Sequence, residues 1–329
     1  MPDYAQSPQY DAETKRFTHP DGTRHDKSAG ELLGVAWKFF TRPEDPSEKN
    51  GFPLLETPPA DPDPLRPQLV WIGHATLLFE YQNKRVLTDP VFSERASPFS
   101  FAGPRRVVPP ALAVADLPPI DLVVISHSHY DHLDLAALEE LAAAQPGIKV
   151  VVPLGLAQMI REAGFTDVTE LDWWDATAAA GMDITATPLR HWSSRTPFDR
   201  NVTLWAGFMI DFDDGYSFYF AGDTGYSNDF NETRARLGSP DLAAIPIGAY
   251  QPRDFMKNSH VNPEEAVQIF SDLKAGHAVG IHWGTFKLTL EPMAEPPQRL
   301  AAALDAAGIG RDRFRALTHG ERWLLPKPD

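Results

Sequence analysis

Short apolar runs alternate with segments of helical period over most of the chain. The runs are rich in β-branched and aromatic residues and end at Gly, Pro, Asp or Asn, which is typical of buried strands. They predict strands at 69–81, 85–92, 122–127, 149–153, 184–191, 204–212, 216–223, 242–248 and 278–283. Apolar residues at helical spacing predict helices at 135–144, 155–164, 263–275 and 296–308. This alternation indicates one α/β body in which helices cover the sheets.

The helix predicted at 263–275 has the clearest start signal. Asn262 stands where an N-cap residue would lie, and Pro263 follows at the first helical position. Glu264 and Glu265 suit the positive end of the helix dipole.

Residues 1–68 differ from the body at 69–329 because they are rich in proline, above all at 42–67. Proline lacks an N–H group, so this arm cannot form regular ladders and is expected to be an extension that packs on the body. Residues 31–40 predict a short amphipathic helix. We expect it to dock on the body; a membrane-surface contact is the alternative, disfavoured because the segment carries little basic charge.

Composition limits the function classes. A net charge of −15 disfavours a nucleic-acid partner. The chain has no cysteine, so disulfides, cysteine–zinc sites and a cysteine nucleophile are excluded, and any metal must be held by His, Asp or Glu. No apolar leader and no long apolar run are visible, so we expect a cytoplasmic protein, with peripheral membrane contact left open.

Three imidazoles and a carboxylate crowd into HSHYDH, residues 127–132, where a predicted strand ends. In extended backbone His127 and His129 point to the same side, and a following turn lets Asp131 and His132 reach a second point nearby. Imidazole and carboxylate together suit zinc and similar divalent ions. A solvated histidine-rich loop is the alternative, but clustered imidazoles gain little without a metal.

Further candidates stand at the ends of other predicted strands. They are His191, Asp223 within AGDTG, and His282. Sites in α/β folds lie at the edge where strands end. Each residue alone is a weak signal, but beside HSHYDH the three predict a metal site.

In this chain order the set resembles the ligands of the metallo-β-lactamase superfamily. The resemblance implies an α/β fold of the αββα type, in which two mixed sheets are flanked by helices and a binuclear metal site lies at the sheet edges. It places the first metal on His127, His129 and His191, and the second on Asp131, His132 and His282. Asp223 would bridge both metals together with a hydroxide.

Longer blocks between Trp71 and Phe286, including WIGHAT, LTDP, FAGDTGYS and NSHVNPEEAV, narrow the resemblance. They are similar to the branch that contains N-acyl-phosphatidylethanolamine-hydrolysing phospholipase D. This implies hydrolysis of a phospholipid head-group phosphodiester by the bridging hydroxide, with Asp131 and Asp223 in the catalytic centre. Two Zn²⁺ ions are expected, with Fe or Mn as alternatives, because His/Asp sites accept all three. A homodimer is also implied by the branch.

The same resemblance suggests supporting residues. Asp89 would orient a ligand imidazole, and His74 would either do the same or satisfy backbone groups. His260 would contact the phosphate or protonate the leaving group, or else only brace its loop. Tyr250 and Gln251 are candidates for the substrate wall.

Two aromatic features complete the candidate site. SPFSF at 97–101 and Trp192 are candidates for an acyl groove, with packing under the loop as the equal alternative.

Three rival functions remain at this point. A lactonase or esterase would use the same centre, because a metal hydroxide also attacks carbonyl groups. A nuclease is disfavoured by the net charge of −15. A metal-binding or scaffold protein without catalysis is disfavoured by the complete ligand set.

Overall fold

The computed structural model describes residues 4–20 and 28–328. Two seven-stranded mixed sheets form the body, and helices cover both outer faces. The predicted αββα fold is therefore confirmed. In the described part of the chain, no helix has the length and apolar character that crossing a membrane requires.

The N-terminal arm contains little regular structure. Its elements are β1 (Tyr10–Asp11), β2 (Arg16–Phe17), α1 (Ala29–Thr41) and α2 (Pro46–Asn50). Phe17 is fully buried in the main core, and Leu54 pairs with His319 in an isolated bridge. The arm thus contacts the body at several points, and Asp45 adds an ion pair with Lys287.

The body elements follow in chain order. Its strands are β3 (Gln68–Gly73), β4 (Thr76–Tyr81), β5 (Lys84–Thr88), β6 (Leu122–Val124), β7 (Lys149–Pro153), β8 (Asp167–Leu171), β9 (Ala176–Ala179), β10 (Met182–Thr187), β11 (Gly207–Asp211), β12 (Ser217–Phe220), β13 (Leu242–Pro246), β14 (His277–Ile281), β15 (Phe314–Arg315) and β16 (Arg322–Leu324). Its helices are α3 (Leu135–Ala144), α4 (Ala157–Glu162), α5 (Asp229–Leu237), α6 (Arg253–Met256), α7 (Pro263–Leu273) and α8 (Glu295–Ala307), with a 3₁₀ turn at Val114–Asp116.

The first sheet has the strand order β16-β3-β4-β5-β6-β7-β8, and the second has β15-β14-β13-β12-β11-β10-β9. Alternation along β3 shows how the first sheet is covered. Leu69 and Trp71 belong to the core between the sheets, while Val70 and Ile72 belong to the outer core with residues of α3 and α4. Burial on both faces explains why these strands appear as continuous apolar runs.

The start of α7 confirms its sequence signal. The Asn262 side chain accepts a hydrogen bond from the Glu265 backbone N–H at 2.9 Å, and Pro263 occupies the first turn. The strands confirm the apolar runs but are shorter than predicted, as β10 ends at Thr187 rather than at 191. Elements such as β8 and α5 were missed because their sequences, DVTEL and DFNETRARL, are largely polar.

The prediction of one strand at 69–81 is wrong. The chain turns at His74 and Ala75, so β3 and β4 form an antiparallel hairpin. His74 has a φ of +55° and Gly73 a φ of +142°. His-Ala is not a usual two-residue hairpin turn, so the sequence gives no turn signal here.

Strand directions bring seven strand ends to one edge. In the first sheet β3, β5 and β6 run the same way, because the antiparallel β4 separates β3 from β5. In the second sheet β10, β12, β13 and β14 share one direction for the same reason. The segments that follow these strands carry all the predicted metal-site residues.

Two like charges oppose each other at the other end of the second sheet. Asp183 and Asp211 are direct antiparallel partners on β10 and β11. Burial, then Asp183 and Asp241, raise the pKa of the Asp211 carboxyl to about 6. Like charges in this arrangement destabilise a sheet.

Asp211→Asn is expected to stabilise the protein by about 1 kcal/mol at pH 8, after allowance for solvent screening. The pKa of Asp211 is raised in the folded state. The destabilisation of the fold by the charged Asp211 carboxylate is therefore absent below pH ~4, grows as pH rises, and is complete above pH ~6. Thermal unfolding at pH 4 and pH 8 measures the difference. Asp213→Asn, at the exposed turn nearby, is the control. An equal gain at both pH values would contradict this account.

Candidate metal centre

The predicted ligands converge at the edge between the sheets. HSHYDH follows β6, and His191, Asp223 and His282 follow β10, β12 and β14. All of these side chains are largely buried. The structure thus brings together the seven residues that the sequence singled out.

One group of atoms forms a compact set of three imidazole nitrogens. His127 Nε2 lies 2.8 Å from His129 Nδ1, and His191 Nε2 lies 3.3 Å from the same His129 atom. Asp223 Oδ2 lies 4.0 Å from His127 Nε2 and 3.8 Å from His191 Nε2. Four potential donors therefore face one point.

A second group shares that carboxylate oxygen. Asp223 Oδ2 lies 3.1 Å from His132 Nε2 and 3.1 Å from His282 Nε2. Asp131 Oδ2 lies 3.6 Å from His132 Nε2 and 3.3 Å from His282 Nε2. The two groups meet at Asp223.

These distances fit divalent ions. Ligands in a tetrahedral zinc site lie about 3.3 Å apart, given Zn–N bonds of about 2.0–2.1 Å. Two inward-facing atoms, His132 Nε2 and His282 Nε2, are buried without a hydrogen-bond partner among the described residues, as is the second oxygen of Asp223. Buried polar atoms are rarely left unpaired, so the cluster has the donors and the unmet polar groups of a metal site.

Electrostatics support the same conclusion. Burial alone raises the pKa of Asp223, but the imidazoles of His282, His132 and His260 reverse this and lower it well below its usual value. Burial lowers the pKa of His282, but the carboxylates of Asp223 and Asp131 raise it to about 9. The imidazoles thus hold the pKa values of Asp223 and Asp131 well below their usual range, so both carboxylates are ionised, the form that binds a cation.

In the first group, the imidazoles of His127 and His191 have lowered pKa values, so they are neutral and can bind a metal. Burial and then the neighbouring imidazoles lower the pKa of His127 well below its ordinary value. Burial also lowers the pKa of His191, whose Nδ1 lies 2.9 Å from the Ser259 carbonyl and donates to it. That donation leaves His191 Nε2 with a free lone pair directed into the cluster.

Asp89, at the end of β5, fixes the neighbouring ligands. Its Oδ2 accepts hydrogen bonds from His132 Nδ1 and Ser126 Oγ, both at 2.6 Å, and its Oδ1 accepts from the Ser126 N–H at 2.7 Å. His132 therefore presents Nε2 to the cluster. Asp89 occupies the orienting position that the sequence suggested.

Gly222 in AGDTG permits the close approach that its sequence indicated. A Cβ atom there would lie 2.5 Å from the Cβ of Ser126. Ser126 also contacts His127, because its Oγ lies 2.9 Å from His127 Nδ1. A larger residue at 222 would push the two sheets apart beside the cluster.

His74 and His260 flank the cluster on opposite sides. His74 Nε2 lies 3.1 Å from Asp131 Oδ2, and the His74 carbonyl accepts from the His282 N–H at 3.1 Å. His260 Nδ1 lies 3.8 Å from Asp223 Oδ2 and has no hydrogen-bond partner in the part of the chain that the structure describes. The His74 side chain thus contacts the carboxylate of a predicted ligand rather than a ligand imidazole, and its orienting role stays a prediction.

Tyr250 and Gln251 lie outside the cluster. The Tyr250 hydroxyl donates to Glu295 at 2.7 Å, and the Gln251 N–H donates to Glu291 at 3.0 Å. Burial and these carboxylates raise the pKa of Tyr250 above its usual value. The structure therefore shows both residues anchoring the 289–295 loop and does not bring them to the predicted ligands.

The two aromatic candidates differ. Trp192 lies against the cluster, with its ring 4.3 Å from that of His129. Phe99 and Phe101 contact each other and are 54% and 79% exposed. The segment 97–101 is therefore not packed beneath a loop.

Arg195 stabilises the loop that contains HSHYDH, and it was not predicted from the sequence. Its Nη1 donates to the carbonyls of Ser128 at 2.8 Å and Leu133 at 2.7 Å, at the two ends of the ligand-bearing loop. The guanidinium also lies over the Tyr130 ring at 4.0 Å. The only sequence signal was its place three residues after Trp192, which is too weak to have found it.

Asp89→Asn is expected to weaken metal binding about 10–100-fold, as loss of an orienting partner typically does. The amide would place a donor against the His132 Nδ1–H. Competition with a chromogenic chelator measures the affinity. Asp121→Asn is the matched control, because Asp121 accepts a backbone N–H at the opposite end of β6. Unchanged affinity would mean that Asp89 only holds Ser126.

Comparison with known families agrees with this geometry. Residues 84–283 match the model of the beta-lactamase superfamily domain. The chain belongs to the β-lactamase superfamily. The matched region includes all seven of the convergent residues.

Relatives place the chain within the superfamily. N-acyl-phosphatidylethanolamine-hydrolyzing phospholipase D 1 of Caenorhabditis elegans is 41% identical over 77% of this chain and 74% of its own. The mitochondrial enzyme of the same name from Saccharomyces cerevisiae is 34% identical over 74% of this chain and 53% of its own. The predicted branch of the superfamily is therefore confirmed.

Solved structures share the fold at lower identity. A metallo hydrolase from Ignicoccus hospitalis has a TM-score of 0.59 and 22% identity, covering 79% of this chain and 99% of its own. An isothiocyanate hydrolase from Delia radicum gut bacteria has a TM-score of 0.62 and 24% identity, again covering 79% and 99%. These structures share the fold of this chain, and the family match with the 41% and 34% identical relatives makes it a hydrolase of this fold.

Proposed function

We propose that the chain is a binuclear zinc-dependent phosphodiesterase that hydrolyses a phospholipid head group of the N-acyl-phosphatidylethanolamine type. The observation that carries the proposal is the pair of donor groups that share Asp223 Oδ2. The names of the 41% and 34% identical relatives support the substrate class.

The residues divide into two sets of ligands with one shared member. His127, His129 and His191 would hold one cation, Asp131, His132 and His282 would hold the other, and Asp223 would be shared. When bound, two such cations lower the pKa of a shared water and neutralise charge on the phosphate. Asp89 and Ser259 orient His132 and His191 before any cation arrives.

His260 is assigned to the phosphate. Burial lowers the pKa of its imidazole to about 4, so the ring is neutral near pH 7 and carries one N–H. A neutral ring is a poor proton source but a good hydrogen-bond donor to a phosphate oxygen. The Arg253 Nη1 bond to the His260 carbonyl at 2.6 Å fixes the loop that carries it.

Trp192 would line the approach to the centre. Its ring lies between His129 and the guanidinium of Arg200, which is 4.3 Å from the ring centre. This leaves an aromatic surface beside the first group of ligands, suited to the apolar part of a lipid. Membrane contact, a cytoplasmic location and a homodimer stay predictions.

Elemental analysis with a substrate panel tests the proposal. Two zinc ions per chain are expected, with turnover of N-acyl-phosphatidylethanolamine vesicles and of a bis-aryl phosphodiester that stops on chelation. A lactone and an aryl ester form the second arm. Higher turnover of the lactone or ester than of both phosphodiesters would replace the proposed reaction, and one metal per chain would overturn the shared centre.

A further inference from the structure

Helix α1 presents an apolar stripe to solvent. Leu33, Trp37 and Phe40 lie on one face at i, i+4 and i+7 spacing, and they are 71%, 71% and 84% exposed. A soluble protein normally buries such a stripe, so a contiguous exposed apolar surface marks an interaction site. The stripe therefore does not serve to dock α1 on the body of the same chain.

A second apolar protrusion is joined to a basic residue. Phe99 and Phe101 lie at the tip of a loop whose base is closed by the bridge between Arg95 and Arg105. Arg95 donates to the Ser100 carbonyl at 3.1 Å and to the Gly103 carbonyl at 2.7 Å, which gives the loop a defined shape. The two rings are thus held in solvent by an ordered loop.

A basic cavity lies between α2 and the base of the 97–101 loop. It has a volume of 350 Å³, within the usual range of ligand pockets, about 300–1,000 Å³. It is lined by Glu48, Lys49, Arg105, Arg106, Val107 and Lys287. α2 supplies Glu48 and Lys49, and both oxygens of Glu48 accept from Arg42 Nη2 at the end of α1. The cavity is therefore tied to the apolar helix on one side and to the aromatic loop on the other.

Much of the positive charge here is available to an anion. Arg106 bonds only to backbone carbonyls among the described residues, and its Nη1 is buried without a partner. Lys49 pairs with Glu44, and Arg105 with Glu94, but these pairs are exposed. Exposed pairs contribute little, so a phosphate can replace their carboxylates at small cost.

The other charges near the cavity are internally balanced. Lys287 is 7% exposed and pairs with Asp45 at 3.3 Å, and Glu48 is held by Arg42. The chain as a whole carries −15, but its distant charges are screened beyond about 8–10 Å at physiological salt. Among the cations of the cavity, Arg106 thus has no carboxylate partner in the described residues, and Lys49 and Arg105 have only exposed ones.

We infer that α1, the 97–101 loop and this cavity form one docking surface for an anionic phospholipid membrane. Leu33, Trp37, Phe40, Phe99 and Phe101 enter the interface, and the cavity takes an anionic lipid head group. Apolar and aromatic residues beside Lys and Arg are the composition of interfacial membrane sites. The basic charge that α1 lacks is supplied by residues distant in sequence.

This surface lies next to the metal centre. Arg106 pairs with Phe286 in an isolated bridge, and the Phe286 ring lies 5.2 Å from that of His74. Docking would therefore hold the catalytic edge close to lipid. Membrane docking at this surface would serve the proposed reaction, but it is measured without turnover. A failure of docking is therefore distinguishable from a failure of the proposed reaction.

Sedimentation of the full-length protein with vesicles tests the inference. Vesicles of phosphatidylcholine with phosphatidylglycerol are expected to bind it, phosphatidylcholine alone to bind it weakly, and high salt to reduce binding. The double variant Lys49→Ser, Arg105→Ser should weaken binding to the anionic vesicles about 30-fold, since each basic residue near such a surface contributes about 1 kcal/mol, a factor of about five. The double variant Trp37→Ala, Phe40→Ala should weaken it at least about tenfold.

The control removes two exposed cations elsewhere, with Lys149→Ser and Arg311→Ser, both of which also pair with exposed carboxylates. It should bind like the wild type. Equal binding to both vesicle types, or full binding by the Lys49/Arg105 variant, would overturn the inference. Absent vesicle binding together with a dimer that Trp37→Ala, Phe40→Ala dissociates would instead assign the stripe to a second copy. Melting temperature and metal content show that each variant is folded.

Discussion

Asp223→Ala is expected to lose bound metal and hydrolytic activity together, with turnover reduced at least about a thousandfold. Asp223 Oδ2 approaches both imidazole groups, at 3.1 Å from His132 and His282 and 3.8 Å from His191. Its removal takes away the shared ligand and leaves five imidazoles with one carboxylate fewer. Metal catalysis supplies several kcal/mol of transition-state stabilisation, and about 4 kcal/mol corresponds to a factor of a thousand.

Metal per chain by elemental analysis and turnover of a bis-aryl phosphodiester measure this result. Asp223→Asn keeps the shape and tests whether charge alone matters, since an amide cannot supply the negative charge. Asp254→Ala is the control, because Asp254 is fully exposed on α6. Wild-type turnover by either Asp223 variant would show that the shared carboxylate is not part of the reaction.

Gly248→Ala is expected to lower turnover about a hundredfold and to destabilise the fold by about 1–3 kcal/mol. A methyl group at 248 would overlap the carbonyl oxygen of His282. His282 also has a φ of +63°, so its backbone is already held in an unusual conformation. Relief of the overlap must move His282 away from Asp131 and Asp223.

Turnover, metal content and the melting temperature separate the two effects. Gly147→Ala is the matched control, because nothing lies within 4 Å of a Cβ atom at that position. A fall in stability with normal turnover and full metal content would mean that the centre tolerates displacement of His282.

The metal centre could be predicted from sequence because its geometry is mostly local. HSHYDH places four donors within six residues, and the other three follow strands whose C-terminal ends share one edge. The core was equally readable, since runs such as 149–153 are buried on both faces. In these cases a residue's neighbours in sequence determine its role.

Other features depend on contacts with residues far along the chain, so they could not be predicted from the sequence. The hairpin at His74 is stabilised by Thr285, whose Oγ1 accepts the His74 N–H at 2.7 Å from far along the chain. Tyr250 turns away from the cluster because Glu295 accepts its hydroxyl. The strands β15 and β16 are too short and too polar to be distinguished before their neighbours are known.

The split of the centre between two sheets affects how the protein is made. HSHYDH leaves the ribosome early, whereas β14 and His282 are synthesised near the end of the body. Domains tend to fold from the first-made part onward, so four donors are present long before their three partners. Stable loading with cations therefore waits for translation of the last third, and a shortage of metal would act on newly made chains before older ones.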